Sequence, residues 1–188
     1  MAPEAEIDRL PREAAPRFCT RCGSRLAERA VDGRRRLACP ACPYVRFDGP
    51  GAVAGAIVRR LRHGVEEVLL VRPVEPPALA YHVLVSGYLE PYETAEAAAI
   101  REVKEETGLD VAIERVLGTY SCRAIGRNLV LIVCLARVTG GELRLSEELA
   151  DARWFSTAEL PAWPPDWPLA RAFADLAEAG AAGAGALG

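Results

Sequence analysis

The rhythm of apolar and polar positions changes at residue 51. From there "GAVAGAIVRRL" (51–61), "VEEVLLV" (65–71) and "YHVLV" (81–85) are short apolar runs with charged or Gly/Pro-rich borders, the pattern of buried or half-buried strands. Helical spacing follows over residues 94–107, with Glu93 and Thr94 at the start and Gly108 where a left-handed stop is expected. Further strands are predicted at "VAIERVLGTY", "NLVLIVCLARV", "GELRL" and "ARWF", and "PAWPPDWP" leads into a last helix over about 169–178. Upstream, residues 17–46 hold two short strand-like runs around the Asp-Gly turn of "VDGRR". The pattern divides the chain into a polar leader (1–16, partly helical or disordered), a cysteine-bearing module (17–46), a mixed α/β domain (47–165), and a C-terminal helix with a frayed Ala/Gly tail (166–188).

The helix over 94–107 carries an arrangement that patterning alone does not explain. With Glu102 at zero, Glu106 falls at about +40° and Glu105 at about −60°, so three carboxylates share one face. Val103 and Ile100 are expected to point the other way, toward the sheet. Like charges at these spacings repel. Two readings stand: a solvated acidic face, or an oxygen-rich face for a hard divalent cation such as Mg²⁺.

The flanking residues narrow the choice. Gly87, Glu93 and "REVKEETGL" (101–109) resemble the Nudix signature at all its specified positions, and the resemblance extends over about residues 50–165. It implies an α/β/α sandwich and hydrolysis of a nucleoside diphosphate linked to a second group. It implies that Glu102, Glu105 and Glu106 bind Mg²⁺ or Mn²⁺ with the Gly87 carbonyl. Arg101 and Glu93 would pair and brace the loop against the helix. Glu105 is the candidate general base within the helix. Glu148, with Glu147 close behind it, is the candidate late carboxylate, as metal ligand or base. Tyr92 stands where Gly is common in the family; a positive φ there would be costly and would require the loop to reshape.

The cysteines fall into two classes. Cys19, Cys22, Cys39 and Cys42 form a CxxC…CxxC pattern, which suits a closed tetrahedral zinc site, with a disulfide pair or an iron–sulfur site as the alternatives. "FCTRCGSRL" and "CPAC" beside such a domain resemble the zinc ribbon of NADH-pyrophosphatase-type Nudix enzymes, with Pro43 as a departure. Cys122 and Cys134 sit in apolar runs and read as buried thiols.

Composition adds bounds. Hydrophobic residues make up 51% of the chain, which supports a sizeable core, and the net charge of −3 argues neither for a nucleic-acid binder nor for a disordered acidic tail. No apolar run is long enough to span a membrane and no signal peptide is evident, so a cytoplasmic place is expected. Residues 17–46 are locally basic, with eight Arg against Glu28 and Asp32, but no aromatic interleaving supports base stacking, and nucleic acid is not expected as a partner. Family analogy implies a homodimer.

For the substrate, "SG" before Tyr88 follows the NADH-pyrophosphatase type. "YSCRAIGRN" (120–128) lacks that type's Ser-Gln-Pro-Trp-Pro-Phe-Pro-like array, which moves NADH and NAD-capped RNA down. The class implied is an ADP-ribose, FAD or NAD(H)-like diphosphate, with Tyr120, Arg123 and Arg127 as candidate specificity residues. A ligand-sensing or nucleic-acid-binding regulator and an NTP pyrophosphatase are the alternatives.

Overall fold

A computed structural model describes residues 16–74, 80–124 and 127–185. The leader over 1–15 and the side chains of Arg123 and Arg127 lie outside the described residues. In chain order the elements are β1 (Ala27–Val31), β2 (Arg34–Ala38), β3 (Gly51–Arg62), β4 (Val65–Pro73), β5 (Val85–Tyr88), α1 (Ala95–Thr107), β6 (Leu109–Ala124), β7 (Arg127–Gly141), β8 (Leu149–Ser156) and α2 (Pro168–Gly185). β1 and β2 form a separate antiparallel hairpin. The other strands make one mixed sheet in the order β6-β7-β3-β4-β8, with β5 on β3. Only the β3–β7 pairing is parallel among the described ladders.

Strand periodicity separates the two faces of this sheet. Ala54, Ala56 and Val58 of β3, with Leu69 and Val71 of β4, pack under Ala98, Ala99 and Val103 of α1. Ile57, Val68 and Leu70 point the opposite way and pack with Leu169, Ala172 and Phe173 of α2. The result is the α/β/α sandwich expected from the sequence. Runs such as "VLLV" are apolar at every position because both faces are covered.

Helix α1 has the predicted ends. Thr94 is its N-cap, its hydroxyl accepting the Ala97 amide at 3.2 Å, and Gly108 follows in the left-handed region at φ 72°. Ile100 departs from expectation: it is 39% exposed, and Ala98 and Ala99 join Val103 against the sheet. A helical stripe at i and i+4 runs through Ala99, Val103 and Thr107, and Ile100 lies one step around from it.

Three other predicted elements change. "YHVLV" gives only a bridge at Val83 before β5 begins at Val85, because Tyr81 packs on Trp167 at 4.7 Å and the His82 carbonyl accepts the Trp163 indole N–H at 2.8 Å. "GELRL" is not a strand. β7 stops at Gly141, and the chain folds across the end of α1, where the Arg144 and Ser146 amides donate to the carbonyls of Thr107 and Glu106 at 2.8 and 2.9 Å. Those carbonyls have no partner within the helix, so an apolar-alternating segment is drawn into a cap. The last helix continues past 178 to Gly185, carried by alanine, the best helix former.

Gly108 has two reasons to be glycine. Its φ is positive, and a Cβ there would meet the backbone carbonyl of Glu142 at 2.7 Å. At Gly64, in the β3–β4 turn, φ is 81° with nothing near a Cβ. Gly64→Ala is therefore expected to cost about 1 kcal/mol, the conformational penalty alone, while Gly108→Ala costs upward of about 2 kcal/mol. Urea unfolding of the two variants measures the difference.

Candidate active site

Gly87 pairs with Ala54 of β3 one residue before the end of β5, and its missing side chain sets the approach of α1. A Cβ at this position would lie 2.0 Å from Oε1 of Glu102. Any larger residue would push that carboxylate out of its place. Glu102 is thus held against the strand, with its side chain 14% exposed. Glu105 stands out in solvent at 60%. Glu106 is itself a buried residue.

Arg101 ties this face to the loop before the helix. Its Nε and Nη2 donate to the two oxygens of Glu93, both at 2.9 Å, and Nη2 also donates to the Tyr88 carbonyl at 3.1 Å. Its Nη1 reaches Glu102 at 2.7 Å and Glu105 at 3.1 Å. The bond from Arg101, with that from the Glu90 amide, holds the Glu93 carboxyl below its usual range. Tyr92, in the same loop, takes φ 69° itself and is fully exposed, so the left-handed conformation is accepted rather than avoided.

The cap over α1 delivers the fourth carboxylate. Ser146 is bound to the Glu106 carbonyl, and two residues later Glu148 enters the same cleft. The cleft encloses about 360 Å³ and is lined by Ser86, Gly87, Tyr88, Glu102, Glu105, Glu106, Ser146 and Glu148. Burial pushes the Glu106 carboxyl up to about 8, and the charges of Glu102, Glu148 and Glu105 add to the effect. Every polar group named is an oxygen donor, a set that fits a hard divalent cation. Ser86, Tyr88 and Ser146 were not singled out from the sequence; their signal is adjacency to Gly87 and to Glu148.

The substrate candidates fare differently. Tyr120 is not in the cleft. It is buried on the opposite face of the sheet, and its hydroxyl donates to Asp175 of α2 at 2.6 Å. Burial and that bond raise its phenol, which acts as a core residue pinning α2. The backbones of Arg123 and Arg127 lie at the tip of the β6–β7 ribbon.

The four N-terminal cysteines are free thiols brought together. Their sulfurs all lie within 4.8 Å of one another, with Cys19–Cys42 at 3.7 Å and Cys22–Cys39 at 3.4 Å. Amides of Arg21 and Ala41 point at the sulfurs of Cys19 and Cys39, each at 3.4 Å. A tetrahedron of thiolates about 2.3 Å from one ion would place sulfurs about 3.8 Å apart, so the set fits a structural metal. Cys134 is fully buried and Cys122 partly so, and burial raises both thiols.

Residues 49–175 match the family described as the NUDIX domain. The chain belongs to the Nudix family. It is 34% identical over 161 residues to the NAD-capped RNA hydrolase NudC of Stutzerimonas stutzeri, a match covering 85% of this chain and 55% of the relative. The NAD-capped RNA hydrolase NudC of Deinococcus radiodurans is 32% identical over 163 residues, with 84% and 55% covered. The chain thus spans about half the length of these curated relatives. Among solved structures, a Nudix hydrolase from Nitrosomonas europaea superposes with a TM-score of 0.67 at 26% identity, covering 78% of this chain and 81% of that one. Among the described residues no helix of this Nudix protein is long and apolar enough to cross a membrane, a statement that says nothing of β-barrels.

Proposed function

We propose that this Nudix protein hydrolyses the diphosphate linkage of a nucleoside diphosphate joined to a second group, of the ADP-ribose, FAD or NAD(H)-like class, giving two monophosphates. The observation that carries the reading is the oxygen-lined cleft on which Glu102, Glu105, Glu106 and Glu148 converge. The relatives' name, NAD-capped RNA hydrolase, supports an NAD-containing substrate, against which the departure at "YSCRAIGRN" counts.

Glu102, Glu105 and Glu106, with the Gly87 carbonyl and Glu148, would hold Mg²⁺ or Mn²⁺. Bound there, such an ion would neutralise the diphosphate and acidify a water. The chain's own groups then have separable tasks. Glu102 is locked by Gly87 and Arg101 into one position, which suits a ligand that must not move. Arg101 and Glu93 act through Glu102 and are positioning residues. Glu105, exposed and lightly held by one bond to Arg101, and Glu148, entering from the cap, are the carboxylates free enough to accept a proton from attacking water. Burial and the neighbouring carboxylates raise the Glu106 carboxyl to about 8, and a bound cation would favour its ionised form. Cys19, Cys22, Cys39 and Cys42 would hold a structural Zn²⁺, with no position left open for chemistry.

Turnover, pH dependence and metal content test this. With Mg²⁺ or Mn²⁺, a panel of NADH, NAD, ADP-ribose, FAD, diadenosine polyphosphates, CoA and NTPs should yield paired monophosphates by mass, and pyrophosphate plus a monophosphate would point to an NTP pyrophosphatase instead. Glu102→Gln and Glu106→Gln should each lower kcat by about 100-fold or more with the circular-dichroism melt preserved, and unchanged turnover would overturn the assignment.

The second measurement concerns pH. In chelator, the folded state keeps the Glu106 proton up to about pH 8 while the unfolded state releases it near 4.5. A raised carboxyl costs stability as pH rises, so Tm should fall from about pH 5 to pH 8. Mg²⁺ should flatten that fall, and Glu106→Gln should remove it. The third is metal content: mass spectrometry should find about one zinc per chain, lost in Cys39→Ser.

A further inference from the structure

Two adjacent glutamates stand at the mouth of the carboxylate cleft, and the cleft takes one of them. Residues 146–149, "SEEL", close a tight turn in which the Leu149 amide donates to the Ser146 carbonyl at 3.2 Å. Serine is favoured at the first position of such a turn because its hydroxyl can accept the amide two residues on. Here the Ser146 hydroxyl accepts the Glu148 amide at 3.4 Å. Glu147 and Glu148 are the two central residues of the turn, and both are exposed. Of the pair only Glu148 lines the cleft, with Ser146 beside it.

The turn is anchored on both sides. Upstream, the Ser146 amide donates to the Glu106 carbonyl at 2.9 Å. Downstream, Leu149 is buried in the core beneath α1 and opens β8 opposite Pro73, and the Val74 amide donates to the Glu148 carbonyl at 2.9 Å. These are backbone bonds, which most residues at position 146 would still allow. The bond from the Glu148 amide to the Ser146 hydroxyl is different, because it needs that side chain. The amide belongs to the peptide between Glu147 and Glu148, and the orientation of this central peptide is what separates one common turn type from the other. Fixing it fixes the φ of Glu148, and with it the direction in which the Glu148 side chain leaves the turn.

We propose that Ser146 is a positioning residue whose hydroxyl, by holding the Glu148 amide, sets Glu148 rather than Glu147 as the fourth carboxylate of the cleft. The other carboxylates have their own restraints. Glu102 is held by Gly87 and Arg101, and Glu106 is buried. Glu148 is exposed, so the direction of its backbone decides where its carboxylate goes. The inference rests on the reading of the cleft as a cation site and adds what brings the last ligand to it. Partners of this kind, one step behind a metal ligand, orient the ligand and so tune affinity for the ion.

The test is titration of the full zinc-loaded chain with Mn²⁺, free Mn²⁺ being read by electron paramagnetic resonance, so that no turnover is needed. Glu148→Gln should weaken Mn²⁺ binding at least about 10-fold. Ser146→Ala should weaken it about 2- to 10-fold, the worth of one hydrogen bond, and Ser146→Thr should restore it. In the Glu148→Gln background Ser146→Ala should cause no further loss, because the serine acts only through that carboxylate. Glu147→Gln should bind Mn²⁺ more tightly than Glu148→Gln. Hydrogen exchange at the Glu148 amide should be faster in Ser146→Ala, with Tm preserved by the backbone bonds. If Ser146→Ala does not fold, the isosteric pair Ser146→Thr and Ser146→Val carries the same comparison. Ser146→Ala that binds like the parent chain, an equal loss with and without the Glu148 carboxylate, or Glu147→Gln as damaging as Glu148→Gln would each overturn the proposal alone. A parent chain that binds no Mn²⁺ would overturn it together with the cation reading of the cleft. Coupled losses in a chain that turns over no diphosphate would support the proposal and overturn the hydrolysis.

Discussion

The closing of α1 by the chain that leaves β7 is the contact on which the site depends. A helix ends with carbonyls that have no partner of their own. Here Gly108 turns the backbone out of the helix, and the amides of Arg144 and Ser146 return to the carbonyls of Thr107 and Glu106. Lys104 adds a side-chain bond to the Gly108 carbonyl at 3.1 Å, a cation where the helix dipole favours one. One set of backbone bonds thereby fixes the height of Glu106 against the sheet and carries Ser146 and Glu148 to the same cleft. The fourth carboxylate arrives because the helix end had to be satisfied.

Crowded like charge is the second constraint, and it takes four forms in this chain. On α1, Arg101 spreads its guanidinium over Glu93, Glu102 and Glu105, so that two of the helix carboxylates are balanced from within the protein. Glu106 has no such partner and is balanced by holding a proton. In the ribbon, four sulfurs meet at a separation that a tetrahedral cation fills. On the hairpin, three arginines share a face with no acid. The Arg101 arrangement is compensated from within the protein; the unpaired Glu106 and the four sulfurs are the places where a bound cation would relieve the crowding.

How much of this was legible in the sequence depended on the range of the interaction. The strands at 51–62 and 65–73, the helix with its Thr94 cap and Gly108 stop, and the Asp-Gly hairpin follow from periodicity and local turn chemistry, which neighbours within a few residues decide. "GELRL" alternates like a strand and became a cap because the carbonyls it serves belong to a helix more than thirty residues earlier. Tyr120 reads like a loop-edge aromatic and is a core residue because Asp175, 55 positions away, receives its hydroxyl.

By itself, then, the sequence determined the family, the long strands and the carboxylate helix, and the row of glutamates, since spacing along a helix places Glu102, Glu105 and Glu106 on one face in any fold. Tertiary structure alone decided which of them is buried, that Glu148 lines the cleft, and that Tyr120 does not. The reason is that burial and charge balance are set by what packs across from a side chain. For Glu106 that is a sheet and three other carboxylates.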